Sequence, residues 1–143
     1  MKTLLPEKKY KEILEAMPIL TVDGIIMHNG KFLLLKRANK PLQGKFWTPG
    51  GRIYKGERLK DGFIRKMKEE IGLKGKIVSV VGFYEDFYQD NNLNIDMVHT
   101  VSVVFLAEVD RYEIKMDKQS TDYKWVKSLP ERLRLILPFS NLM

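Results

Sequence analysis

Six residues in one short stretch have the types and spacing to do phosphate and metal chemistry: Gly50-Gly51-Arg52, then Arg65, then Glu69-Glu70. The sequence Arg58 to Ile71 has helical periodicity and is closed by Gly72. At about 100° per residue with Leu59 at zero, Phe63 falls near 40°, Met67 near 80°, Ile71 near 120° and Ile64 near 140°. These residues form the apolar stripe. Glu70 falls near 20°, between Leu59 and Phe63, where a carboxylate is costly unless a cation or hydrogen bonds compensate it. Glu69 and Arg65 fall on the adjoining polar face. Adjacent carboxylates repel each other, and a hard divalent cation with oxygen ligands relieves the repulsion. The preceding glycines let the backbone approach a ligand closely, with a simple turn as the plainer reading. Arg52, with Arg37 and Arg65 expected nearby, offers the planar donor fork that suits phosphate oxygens.

The elements that must position these groups follow a mostly β, helix, mostly β, helix order. Pro6 to Ala16 is a short helix that Pro18 ends. Ile19 to Met27 and Lys31 to Lys36 are strands joined by His28-Asn29-Gly30-Lys31, a hairpin signal. Asn39-Lys40-Pro41 opens a loop, and Phe46 to Thr48 is a short strand. After the central helix come long β segments at Ile77 to Tyr88 and Met97 to Val109, joined by the polar stretch Gln89 to Asp96. Tyr123 to Val126 is a late strand, and Leu129 to Leu137 a last helix with Pro130 near its start. The order is not a regular βαβα alternation, so a mixed sheet with helices on its faces is expected rather than a doubly wound parallel one.

With 143 residues, 44% hydrophobic and 30% charged, the chain has the size and balance of one globular domain, residues 1–143. The absence of cysteine excludes disulfides, thiolate zinc sites and a thiol nucleophile. No apolar run reaches the length of a membrane span or a signal peptide, so a cytoplasmic address is expected. The net charge of +7 is asymmetric: residues 1–70 carry 16 basic against 8 acidic residues, and residues 71–143 carry 9 against 10. Such a distribution suits an anionic partner, or simply a lysine-rich solvated surface.

The stretch from Gly51 to Leu73 resembles the Nudix box: Gly51, Glu57, Arg65, Met67, Glu69, Glu70, Gly72 and Leu73 match its pattern in register. Lys66 stands where the pattern has a glutamate. Beyond the box, Asp23, GKFLLLKRANKPLQGKFWTPGGR, GFYEDFYQDN and DYKW resemble the GDP-mannose mannosyl hydrolase branch. That resemblance implies an α/β/α sandwich with a mixed sheet, a Mg²⁺ requirement with Mn²⁺ as the alternative ion, and a homodimer. It also implies attack at the sugar C1 that releases GDP and free sugar.

By the same resemblance, the Gly50 carbonyl, Glu70 and Gln119 ligate the metal, and the wider family adds Glu69. Arg37 contacts the diphosphate, Arg52 and Arg65 stabilise the leaving GDP, Asp23 contacts the sugar, and Glu57 orients Arg65. Both familiar general bases are missing, since Lys66 replaces the box glutamate and Ser120 replaces the branch's histidine. Glu85, Asp86 and Asp90 are candidates to activate water in their place, with a polar hairpin end as the plainer reading. His28 is expected at the surface. His99 is read as structural, and Trp47 either stacks on a base or packs in the core. The alternatives are a Nudix pyrophosphatase acting on a phosphoanhydride and, more distantly, a non-catalytic nucleotide- or nucleic-acid-binding module. Of these partners, a small nucleotide is favoured over nucleic acid, and a membrane is not expected.

Overall fold

A computed structural model describes residues 5–39 and 42–136. Helix α1 (Glu7–Ala16) precedes strands β1 (Ile19–His28), β2 (Lys31–Arg37), β3 (Phe46–Trp47) and β4 (Gly50–Arg52). Helix α2 (Leu59–Ile71) leads to β5 (Lys76–Asp90), β6 (Ile95–Glu108), β7 (Ser120–Val126) and helix α3 (Glu131–Ile136). Leu137, expected at the end of the last helix, and the Lys40-Pro41 pair of the expected loop lie outside the described residues. Among the described residues no helix is long and apolar enough to cross a membrane.

All seven strands form one sheet with the path β3-β2-β1-β6-β5, while β4 pairs with β1 and β7 with β2. The β1–β6 pair is parallel and the others are antiparallel, so the sheet is mixed as expected. The β1–β2 hairpin turns on Asn29 and Gly30, both at positive φ (47° and 73°), which matches a tight two-residue turn.

The two faces of the sheet carry different cores. Val22, Ile26, Leu33, Leu35, Phe105 and Ala107 meet Phe63, Met67 and Ile71 of α2. On the opposite face Ile25, Phe32, Leu34, Val104 and Leu106 pack on Leu129 and Leu133 at α3. Further along that second face, Ile19, Ile95 and Val98 pack on Leu14 of α1. Helices therefore cover both faces, which gives the α/β/α sandwich.

Helix α2 runs nearly as its periodicity predicts and stops at Gly72, whose φ of 71° is left-handed. Its buried arc is shifted from the expected stripe. Gly62, Phe63, Lys66, Met67, Glu70 and Ile71 are buried, whereas Ile64 is only half-buried. Phe63 stacks on Phe105 at 5.1 Å between ring centroids. A Cβ on Gly24 would lie 2.2 Å from the Phe63 ring. Gly24→Ala is therefore expected to destabilise the fold by about 1–3 kcal/mol through overpacking, read as a lower urea midpoint with an unchanged slope.

Candidate functional site

Gly50-Gly51, whose plainer reading was a turn, forms a strand with Arg52. Its register sets Thr21 opposite Arg52, Val22 opposite Gly51 and Asp23 opposite Gly50. Neither glycine is needed here for a left-handed φ; both are needed for close approach. A Cβ on Gly50 would sit 2.0 Å from Asp23 Oδ1, and one on Gly51 would sit 2.6 Å from Lys66 Cε. The bond from Gly24 N–H to the Pro49 carbonyl (2.9 Å) marks Asp23 and Gly50 as a pair whose own peptide groups point away from each other. The Gly50 N–H is thus free to donate to Glu70 Oε2 at 2.7 Å. In a strand the carbonyl of the same residue points the same way, so the Gly50 oxygen also faces the Glu70 side.

Glu70 occupies the apolar side of α2 as its angle predicts, and only 5% of it is exposed. Burial pushes its carboxyl up to about 7, against the opposing pull of Lys66 and the Gly50 N–H, and Asp117 and Asp23 add to the rise. Lys66 Nζ lies 3.9 Å from Glu70 Oε1 and 3.5 Å from Glu69 Oε2. Glu57 and Arg65 form a two-pronged pair: Nε donates to Oε2 at 2.7 Å and Nη2 to Oε1 at 2.9 Å. That hydrogen bonding holds the Glu57 carboxyl below its ordinary range. Glu57 also accepts the Tyr54 N–H (3.1 Å), while Arg65 Nη2 reaches the Arg52 carbonyl at 2.9 Å. Arg65 Nη1 completes the fork toward Glu69 at 3.5 Å.

Arg52 differs from Arg65. Its guanidinium lies over the rings of Tyr10 (4.8 Å) and Tyr54 (5.5 Å), and Tyr54 also underlies Arg65 at 4.0 Å. Among the described residues Arg52 forms no ion pair, so its planar donors remain available to an anion. Arg52, Arg65, Lys66, Tyr10, Tyr54 and Leu5 line a cleft of about 270 Å³.

Asp23 lies on the other side of β4, on the α1–α3 face. Tyr84 Oη and Ser102 Oγ each donate to its Oδ2 at 2.5 Å. Burial raises the Asp23 carboxyl despite these bonds; Arg37 opposes the rise and Asp86 adds to it. Arg37 and Asp86 therefore face Asp23, and Ser120 is in register with Arg37. Tyr88 on the same face is pushed up to about 12 by burial, with Tyr10, Asp86 and Arg37 among its electrostatic neighbours.

The three carboxylates proposed to activate water do not stay together. Strand alternation puts Asp86 on the Asp23 face and Glu85 on the opposite one. Glu85 Oε2 there meets His99 Nε2 at 2.8 Å, and His99 stacks on Phe87 at 4.3 Å. Asp90 accepts the Asn92 and Leu93 N–H groups (3.0 Å each), so it shapes the hairpin end. His28 is half-buried rather than purely superficial: Nδ1 meets the Val109 carbonyl at 2.8 Å and the ring abuts Tyr112. Trp47 packs with the α3-side core, with Arg132 over its ring at 5.6 Å. Gln119 is tied to Asp117 through its backbone N–H (3.0 Å) and side-chain amide (3.2 Å). Since Asp117 acts on Glu70, this loop approaches the Glu70 side.

The sequence reading missed Tyr10, Tyr54, Ser102 and Asp117, and took Lys66 only as a lost base; Tyr84, read with Phe87 and Tyr88 as an aromatic that could hold a base or sugar, instead donates to Asp23. The spacing of Asp117 two residues before Gln119 was a usable signal. Tyr10 comes from an element far from Arg52 in the chain and had none.

Glu69, Glu70 and the Gly50 carbonyl offer oxygen ligands of the kind a hard divalent ion takes. Among the described residues no three acidic or histidine side chains converge on one point.

A two-layered helical cover on a mixed sheet, with a buried helix glutamate tied to a glycine strand and an arginine fixed by an upstream glutamate, defines a Nudix-type hydrolase site. The NUDIX domain family model matches residues 17–130, and the chain belongs to that family. It is 33% identical over 123 residues to the low-salt glycan biosynthesis protein Agl8 of Haloferax volcanii, covering 85% of this chain and 79% of that one. It is 36% identical over 126 residues to an ADP-ribose pyrophosphatase of Methanocaldococcus jannaschii, covering 87% and 70%. The crystal structure of a MutT protein from Methanosarcina mazei Go1 superposes with a TM-score of 0.69 at 25% identity, covering 86% and 93%.

The raised Glu70 carboxyl sets a pH dependence. Its folded value of about 7 lies above its ordinary 4.5, so the folded state binds this proton more tightly than the unfolded state. The resulting stability is complete below 4.5 and is lost as pH rises through about 7. Chelated protein is expected to lose up to about 3 kcal/mol across that window in urea titrations. Glu70→Gln should flatten most of the slope; Asp23, raised in the same direction, keeps a remainder. An unchanged slope in the variant would remove Glu70 as its source.

Proposed function

We propose that this chain is a Mg²⁺-dependent hydrolase of a nucleoside diphosphate sugar that releases nucleoside diphosphate and free sugar. The observation that carries the reading is the division of the site by β4. Glu70 and Arg65 lie toward α2, and Asp23, Arg37 and Asp86 lie on the α1–α3 face, with only glycine peptides between them; Arg52, in register with Thr21 and over Tyr10 of α1, borders both. Such a site accommodates a ligand with an anionic end and a hydroxyl-rich end. The names of two relatives, one for glycan biosynthesis and one for ADP-ribose, both concern sugars.

In this reading the Gly50 carbonyl, Glu69, Glu70 and Gln119 hold the ion. When bound, it neutralises diphosphate charge and improves the leaving group. Arg52 supplies free donors to the diphosphate, and Arg37 supports it from the other side. Arg65, spent on Glu57 and the Arg52 carbonyl, positions the strand and helix against each other. Asp23, held by Tyr84 and Ser102, accepts from a sugar hydroxyl through the oxygen those two leave open. Asp86, on that same face, takes the proton from the attacking water in place of the absent histidine. Ser120 cannot do so, because an unperturbed hydroxyl is too weak a base.

A second reading, cleavage of the phosphoanhydride, draws on Glu69, which stays half-buried beside Arg65, and on the pyrophosphatase relative. A cytoplasmic location and a homodimer complete the proposal. The exposed Val78, Val80, Phe83 and Phe87 of edge strand β5 support the dimer, and sedimentation equilibrium returning a monomer mass would exclude it.

The deciding experiment incubates GDP-mannose and ADP-ribose with the protein and Mg²⁺ in ¹⁸O water. Label in free sugar, with unlabelled nucleoside diphosphate, is expected. Label in a nucleoside monophosphate or sugar phosphate establishes the second reading instead. Asp86→Asn is expected to lower kcat by about 10²-fold or more with little change in KM. A normal kcat places the base elsewhere.

A further inference from the structure

We infer that the groove between the end of α1, the start of β1 and loop 53–57 binds the nucleobase of the substrate. The inference rests on the reading that the ligand is a nucleoside diphosphate derivative. The groove is a cavity of about 660 Å³ whose lining includes the aliphatic side chains of Ile13, Met17, Pro18, Leu20 and Ile53. Met17 and Leu20 are large and apolar, yet they are 61% and 43% exposed. A cavity of this size, apolar with polar groups at one margin, suits the flat apolar part of a small ligand. That margin is shared: Leu5, Arg52 and Tyr54 line both this groove and the smaller cleft that holds Arg65 and Lys66. The two are neighbouring compartments with Arg52 at their junction.

The register fixes the order of the compartments. Gly50 lies opposite Asp23 and Arg52 opposite Thr21, and the Ile53 N–H donates to the Leu20 carbonyl at 3.1 Å. Traced back along β1, the site thus runs from Asp23 to the position beside Arg52 and then to Leu20 at the groove. At about 3.3 Å per residue, the three steps from Asp23 to Leu20 span roughly 10 Å. A nucleoside diphosphate sugar has the same order: sugar, diphosphate, ribose, base. With the sugar at Asp23 and the diphosphate between Glu70 and Arg52, the base falls at the groove. An alkyl chain would also suit the aliphatic lining, but a guanidinium with free donors at the shared margin favours a ligand whose apolar part is joined to an anion. Glu57 borders the groove too, and its two oxygens already accept Arg65 and the Tyr54 N–H. The base is therefore held by apolar contact rather than by that carboxylate.

The test uses protein with ¹³C-labelled methionine methyl groups in Mg²⁺, followed by nuclear magnetic resonance, with affinities measured by calorimetry. The Met17 signal is assigned as the one lost in Met17→Leu. The probes are the α,β-methylene analogues of ADP and GDP, whose bridge resists phosphoanhydride cleavage, and methylene diphosphonate, which has no base. Both analogues are expected to shift the Met17 methyl, and methylene diphosphonate to leave it in place. Met17→Asp, which puts a carboxylate into the apolar lining at an exposed position, should weaken both analogues by at least about tenfold and methylene diphosphonate hardly at all. Analogues that bind with the Met17 methyl unmoved, or that bind Met17→Asp as tightly as the native chain, overturn the inference and leave the proposed reaction standing. A Met17 methyl that shifts equally with methylene diphosphonate, or with protein concentration rather than nucleotide, overturns it as well; the latter assigns the groove to a second copy of the chain. Failure of all three probes to bind overturns the nucleoside diphosphate reading itself, and this inference with it.

Discussion

The hydrogen bond from the Gly50 N–H to the buried carboxylate of Glu70 is the contact on which the site depends. It joins a strand that has almost no side chains to a helix whose buried arc is apolar apart from Lys66 and Glu70. The strand needs it, because three residues contribute few ladder bonds of their own. The helix needs it, because a carboxylate in that position has lost its water and must find donors in protein. The bond also fixes the direction of the Gly50 carbonyl, so the same peptide that steadies the glutamate presents an oxygen beside it.

Around this contact, the cationic side chains divide their work by how many of their donors are already taken. Arg65 has every nitrogen engaged, by Glu57, Glu69 and the Arg52 carbonyl. It is a strut whose rigidity comes from saturation. Arg52 is held by the faces of two tyrosines, which restrain a guanidinium while leaving its edge unsatisfied. Tyr54 serves both arginines from one ring position, so the strut and the free fork share a support.

The helix was largely legible because its signals are local: an apolar period, a terminal glycine and an acidic residue on the wrong side of the wheel. The Asn29-Gly30 hairpin and the two long β segments were legible for the same reason. The Gly50–Arg52 strand was not, since glycine carries no alternation and its extended state is imposed by pairing with β1. The separation of Glu85 from Asp86 was in principle readable from the period of two, but which face mattered depended on Asp23, more than sixty residues earlier and two strands away. Tyr10 meets Arg52 only after α1 folds back over the sheet, and nothing in its immediate surroundings marks it.

The fit between Gly51 and the Lys66 stem has a consequence for how this sequence can drift. Position 51 is bare because position 66 is long: the methylenes occupy the volume where a Cβ would be. The two positions therefore do not vary independently. While lysine is present, an alanine at 51 must push its stem aside; were 66 shortened, the same alanine would occupy the space the stem leaves. Any path that alters the charge of the helix at 66 thus also resets which residues the strand can carry at 51, and the order of the two changes decides whether the intermediate chain is crowded or hollow.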